Sequence, residues 1–108
     1  MGAVLRTVSG EEFIGCNVEN SAYPQGTCAE AGAIAAMIAA GEKEISEICI
    51  VADSPNPVSP CGGCRQKLAE FSTPSTKVHL ANLKGILACH SLGELLPHSF
   101  SSDHLPNG

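Results

Sequence analysis

The run CAEAGAIAAMIAAG, from Cys28 to Gly41, limits most strongly what this chain can fold into. It is built almost wholly of Ala, Ile and Met, so it is a strong helix former with no polar face. A helix apolar nearly all round must be buried on several sides. The uninterrupted apolar part, Ala31 to Ala40, is too short to span a bilayer, so its cover must be protein. Thr27 is the expected N-cap, Glu30 sits in the first turn, and Gly41 is the natural stop.

The partner for this helix is a sheet. Two β-prone runs, Ala3–Thr7 and Phe13–Val18, flank Ser9-Gly10 and predict a hairpin. SAYPQGT is a loop of turn formers. EISEICIVA is a strand rich in Val and Ile, and DSPNPVSP is a loop. CGGCRQKLAEF predicts a second helix starting at or near Cys61. KVHLAN and GILACHS are short strands, SLGELLP is a helical turn or two, and HSFSSDHLPNG is a tail. The order ββ-α-β-α-β-β-α predicts an α/β domain with helices on a mixed sheet. At 108 residues it is read as a single domain, 1–108. With no Trp and one Tyr, the core must be Ala, Val, Ile and Leu.

Charge narrows the partners. The formal net charge is −5, with only six Lys and Arg. Phosphate backbones need a basic stripe, so no nucleic acid partner is expected, while a small neutral molecule is allowed. Met1 is followed by a strand-like run instead of a signal-peptide pattern, and no membrane association is expected. Six cysteines in such a chain favour a reducing cytoplasm, where close spacing reads as metal or catalysis before disulfide.

Cys61 and Cys64 in SPCGGCRQ open the second helix, and Cys28 opens the first. A helix N-terminus carries partial positive charge and free N–H groups, both of which favour thiolate. Three thiols with one open position is the ligand pattern of a catalytic zinc. A closed zinc is the alternative, its fourth ligand drawn from Cys16, Cys49, Cys89, His79, His90, His98 or His104. A thioredoxin-like pair fits less well, because a proline-rich loop precedes the C-x-x-C. Otherwise Cys16, Cys49 and Cys89 read as small core residues. Glu30, two residues after Cys28, is placed to move protons beside a metal without ligating it. Taken alone, it would be a favourable charge at a helix start.

CAE followed by PCGGCRQ resembles the cytidine deaminases, specifically their small homotetrameric branch, and C-x-E followed by P-C-x-x-C is the general signature of zinc deaminases. GCNVENSAYPQGTCAE is similar to that family's nucleoside loop, and LLPHSF to its C-terminal LLP-x-SF; the likeness runs from Gly2 to Leu105. The resemblance implies a three-layer α/β/α cytidine-deaminase-like fold. It implies Zn2+ held by Cys28, Cys61 and Cys64, with zinc-bound hydroxide attacking C4 of cytosine and Glu30 as the proton shuttle. Asn17 and Glu19 would hold the ribose hydroxyls, and the backbone of Ala29 would meet the pyrimidine edge. Tyr23 and Phe100 match aromatics that reach into a neighbouring subunit's site. Arg65 and Gln66 lie just behind the ligands.

Two departures stand out. Many members carry Arg where this chain has Ala31, so the helix ends and Arg65 must offset more thiolate charge. The chain also reads as N-terminally truncated, without the family's first helix and Tyr-Ser-x-Phe segment, which predicts uncovered apolar surface on one sheet face and a partly open pocket. The implied activity is deamination of cytidine and deoxycytidine in pyrimidine salvage, with a small-molecule nucleoside as substrate. Blasticidin-type antibiotic deamination, or a zinc-binding structural subunit without turnover, are the alternatives. The NVEN motif favours a plain ribose, and the acidic charge disfavours polynucleotide editing.

Overall fold

The computed structural model describes residues 1–106. Strands β1 (Gly2–Thr7) and β2 (Glu12–Cys16) form the hairpin, with Gly10 turning the chain at φ +92°. β2 ends at Cys16, short of the expected Val18, because Val18 leaves the sheet to pair with Thr27. Their two backbone bonds are each 2.9 Å. That bridge also moves the helix start. Thr27 is held extended by it, so Cys28, not Thr27, is the N-cap of α1 (Ala29–Ala39). α1 stops as expected at Gly41, whose φ of +87° is a left-handed turn that glycine adopts without strain. Gly41 N–H donates to the Ile38 carbonyl and Glu42 N–H to that of Met37, the Schellman pattern.

β3 (Ile45–Val51), α2 (Gly62–Glu70), β4 (Lys77–Asn82), β5 (Gly85–Ser91) and α3 (Leu92–Leu95) follow, in the predicted order. Cys61 is the N-cap of α2. The sheet order is β2-β1-β3-β4-β5, with β3 and β4 parallel and the other pairs antiparallel, so the sheet is mixed. Short 3-10 turns lie at Tyr23–Gln25 and Ser102–His104. No helix among the described residues is long and apolar enough to cross a membrane.

Alternation along the strands sorts the side chains into two faces. Ala3, Leu5, Ile48, Ile50, Val78 and Leu80 point to one face and are buried with Ala33, Ile34 and Met37 of α1, Leu68 of α2 and Leu92 of α3. Each fully buried Leu or Ile contributes about 1.5–3 kcal/mol, so this face supplies the stability. The opposite face carries a row made of Ile14, Val4, Cys49, His79 and Cys89 across all five strands. Ile14 is 77% exposed there. The next row is charged: Arg6 bonds Glu12 and Glu47 at 3.1 Å each, and Glu47 meets His79 at 3.1 Å.

The α/β class and mixed sheet are thus as expected. Two of the three layers are formed by the described residues, and the face that a third would cover is open. That face is half apolar and half ionic, so it is less oily than the sequence predicts. It also corrects the reading of three cysteines as core. Cys16 and Cys89 are exposed and Cys49 half-buried, because all three lie on strands and point to the open face. α1 likewise is covered on one side only. Ala29, Ala33, Ile34 and Met37 are buried, while Ala35, Ile38 and Ala39 face outward.

Candidate active site

Beyond β2 the Val18–Thr27 bridge closes a loop whose wall carries Asn17 and Glu19. Within it Asn20 Oδ1 accepts from the Ala22 amide at 2.8 Å, and Pro24 opens the 3-10 turn at Tyr23. The loop then delivers Cys28 to the head of α1. Its depth is set by Gly15, since a Cβ there would lie 2.4 Å from the Ala29 carbonyl oxygen and the Ala33 nitrogen. β2 and α1 therefore touch backbone to backbone, beside both the loop and Glu30.

The second arm is the loop before α2. Pro60 is fully buried, Cys61 caps the helix, and Cys64 is 0% exposed one turn in. The Sγ atoms of Cys28, Cys61 and Cys64 all lie within 4.8 Å of one another. Tetrahedral Zn–S bonds of about 2.3 Å set sulfurs about 3.8 Å apart, so this trio is of the size that zinc needs. It is the one group of three or more His, Cys, Asp or Glu side chains so arranged among the described residues. None of Cys16, Cys49, Cys89 or the four histidines joins it among the described residues, so the cluster offers three protein ligands.

Charge points the same way. The Cys61 thiol is held below its ordinary pKa, chiefly by the backbone N–H of Cys64, with the Cys64 thiol, then the Cys28 thiol and the Gly63 N–H assisting. Cys64 is pushed well above it, first by burial, then by the Cys61 sulfur and the Glu30 carboxylate. Glu30 is 2% exposed and acidic at the same helix start. Three sulfurs and a carboxylate crowd one spot, and a divalent cation is what lets them all be anionic together. The donor set fits zinc.

A cavity of about 380 Å³ opens onto this cluster, and its lining includes Asn17, Glu19, Tyr23, Ala29, Glu30, Cys28 and Cys61. Asn17 Oδ1 accepts from the Met1 amino group at 2.8 Å. Tyr23 stands at the rim of this chain's own cavity and is 89% exposed. Thr27, Val58 and Ser59 also line it and were not foreseen. The signal for the last two was positional, because the proline-rich loop must reach Cys61 past the opening. Phe100 does not line the cavity. Its ring lies 5.4 Å from that of His104, and its carbonyl accepts from Gln66 Nε2 at 3.0 Å. Arg65 donates to the carbonyls of Pro60 and Leu95. Ala31 is half-buried on a groove of about 450 Å³ shared with Gln66, Lys67 and Glu70.

Residues 1–80 match the family model for the cytidine and deoxycytidylate deaminase zinc-binding region. The chain belongs to that family. The matched stretch of this deaminase chain contains the thiol trio, Glu30 and the Asn17–Tyr23 loop. The whole chain is 43% identical over 105 residues to a cytidine deaminase of Sporosarcina psychrophila, covering 97% of this chain and 77% of that protein. It is 38% identical to one of Halalkalibacterium halodurans, covering 97% and 80%. In three dimensions it is similar to the crystal structure of cytidine deaminase from Burkholderia pseudomallei, with a TM-score of 0.85 and 40% identity over 92% of this chain and 80% of that one. The zinc of the family is the ion that the thiol trio fits.

Proposed function

We propose that this chain hydrolytically deaminates cytidine and deoxycytidine to uridine and deoxyuridine, with one zinc on Cys28, Cys61 and Cys64. The observation that carries the reading is the buried Glu30 carboxylate beside three clustered sulfurs, at the floor of a cavity walled by Asn17 and Glu19. The relatives named as cytidine deaminases support it. Bound zinc supplies the Lewis acidity that makes water nucleophilic at neutral pH. The residues of the chain do the rest. Glu30 accepts a proton from the attacking water and gives it to ring N3. That transfer accompanies formation of the C4–O bond; Glu30 then takes the second proton from the new C4 hydroxyl and delivers it to the exocyclic amine, so that C4 becomes a carbonyl as the C4–N bond breaks and ammonia leaves. The Asn17 amide and Glu19 carboxylate hold the ribose hydroxyls, and the Ala29 backbone meets the pyrimidine edge.

The chain works as one domain and, in this reading, as a homotetramer of the cytoplasmic pyrimidine salvage system. The outward small-residue face of α1 supports self-association. So does Phe100, 59% exposed and away from its own cavity, where it is free to reach a neighbour's site. Six free cysteines support a reducing compartment.

The experiment is ammonia release by the purified chain from cytidine, deoxycytidine, cytosine and single-stranded DNA, with zinc measured alongside. Turnover of the two nucleosides with about one zinc per chain is expected. Zinc without turnover of either nucleoside would leave a structural metal site and overturn the enzymatic reading.

A further inference from the structure

Two side chains of α2, immediately after the ligand Cys64, join parts of the fold that are far apart in sequence. Arg65 Nε donates to the carbonyl of Pro60 at 2.8 Å. The same guanidinium, through Nη1, donates to the carbonyl of Leu95 at 2.7 Å. Gln66 Nε2 donates to the carbonyl of Phe100 at 3.0 Å. Pro60 is fully buried and its carbonyl belongs to the peptide that enters Cys61. A clamp on that oxygen fixes how the Cys61 N-cap is presented. Leu95 closes α3, and Phe100 lies two residues beyond His98, the one non-glycine residue with positive φ (54°) among the described residues. Neither carbonyl partner of Arg65 carries a charge, so the contact is not a salt bridge. It uses the rigid fork of the guanidinium, which holds two acceptors in different directions at once; an ammonium on a flexible stem does not.

We infer that Arg65, assisted by Gln66, is a positioning residue that couples zinc retention to the seating of residues 96–105 against α2. The inference rests on the assignment of zinc to Cys28, Cys61 and Cys64. Its logic is linkage. Whatever factor the seated segment adds to zinc affinity through the Pro60–Cys61 turn, bound zinc must add to the seating of the segment. The metal centre and the segment carrying Phe100 then respond as a unit.

The test uses the full chain, with zinc affinity read by competition against a chelator and seating read by amide hydrogen exchange. Arg65→Ala should weaken zinc binding about 10–100-fold, the range expected for partners that orient metal ligands. Arg65→Lys should recover little of that loss, since charge without the fork does not serve. Gln66→Ala leaves Pro60 untouched, yet should raise exchange in 99–105 and weaken zinc by a smaller factor. In the unaltered chain, zinc removal should raise exchange in 96–105 while β3 and β4 stay protected. Zinc affinity within about twofold of normal in both Arg65 variants would overturn the inference, given the 10–100-fold expected. So would exchange in 96–105 that zinc does not alter, or that rises equally in β3 and β4. If Arg65→Ala does not fold, Arg65→Lys and Gln66→Ala decide. An unaltered chain that binds no zinc would instead overturn the site assignment itself.

Discussion

Gly15→Ala tests the contact that sets the depth of the site. The added Cβ would stand 2.4 Å from the Ala29 carbonyl oxygen, 2.4 Å from the Ala33 nitrogen and 2.9 Å from the Gly32 carbonyl carbon. All three are backbone atoms, so no rotamer can relieve the clash. Ordinary contact begins near 3.4 Å, so α1 must move away from β2 by about 1 Å, and overpacking of this kind typically costs about 1–3 kcal/mol, here at the upper end. The shift has a second cost, because α1 carries Cys28 at its cap and Glu30 in its first turn while β2 leads into Asn17 and Glu19. Separating them by about 1 Å would misalign the proposed proton carrier and the proposed sugar contacts, a displacement able to lower catalysis about 100-fold. The assay is thermal unfolding together with kcat/KM for ammonia release from cytidine. Gly32→Ala is the control, since its Cβ would meet the Gly15 Cα at 3.4 Å, at the edge of ordinary contact. It should cost far less on both readouts. A Gly15→Ala protein as stable and active as the parent, or a Gly32→Ala protein harmed equally, would refute the reasoning.

Glu30→Gln should retain zinc and bind a cytidine analogue but lose about 10²–10⁴ in kcat, because an amide cannot accept and return the proton; near-normal turnover would reduce Glu30 to a helix-end charge. Ala31→Arg should fold, since the groove beside Ala31 has room, and should move the acidic limb of the pH–rate profile to lower pH by donating to the thiolates. An unmoved profile in a zinc-loaded variant would show that the added cation does not reach the cluster. His98→Gly should stabilise the chain by about 0.5–1 kcal/mol, the relief of a left-handed non-glycine residue less the added freedom of glycine when unfolded. A lower unfolding midpoint in that variant would mean that the His98 side chain contributes more than its backbone costs.

The order of elements was legible because propensity and punctuation agree along the chain. The apolar helix ends at Gly41, and the Pro60-Gly62-Gly63 frame turns the backbone at the head of α2. The pairing of Cys28 with Cys61 and Cys64 was legible too, because each stands at a helix start, where thiols have a physical reason to be. Three things were not. The cap at Cys28 depended on the Val18–Thr27 bridge, a contact across a loop that leaves no periodic trace. The exposure of Cys16, Cys49 and Cys89 depended on which sheet face the helices chose, and small apolar residues do not encode that. The roles of Arg65 and Gln66 lay in bonds to main-chain carbonyls, and a carbonyl has no residue identity to read. The place of Arg65 after Cys64 suggested an influence on the thiolates, whereas the bonds that it and Gln66 make run to Pro60, Leu95 and Phe100.

That last difference bears on the charge of the site. With the Arg65 fork engaged on carbonyls and alanine at position 31, the thiolate charge that the metal does not offset falls chiefly to the helix ends. Cys28 and Cys61 are the N-caps of α1 and α2, so the positive ends of both helices meet at the cluster. The lowered pKa of Cys61, caused first by the Cys64 N–H, is this effect at one sulfur. Each N-terminus is equivalent to about half a positive charge. Three thiolates, the Glu30 carboxylate, a divalent cation and two such ends leave about one negative charge in the pocket. A negative pocket works against ionising water, but it favours protonation of ring N3 and of the departing amine, both of which gain positive character. The chain is therefore suited to a reaction in which proton delivery to nitrogen weighs as much as forming the nucleophile. In the proposed mechanism the buried Glu30 serves both ends of that transfer, and it is the group on which the two demands meet.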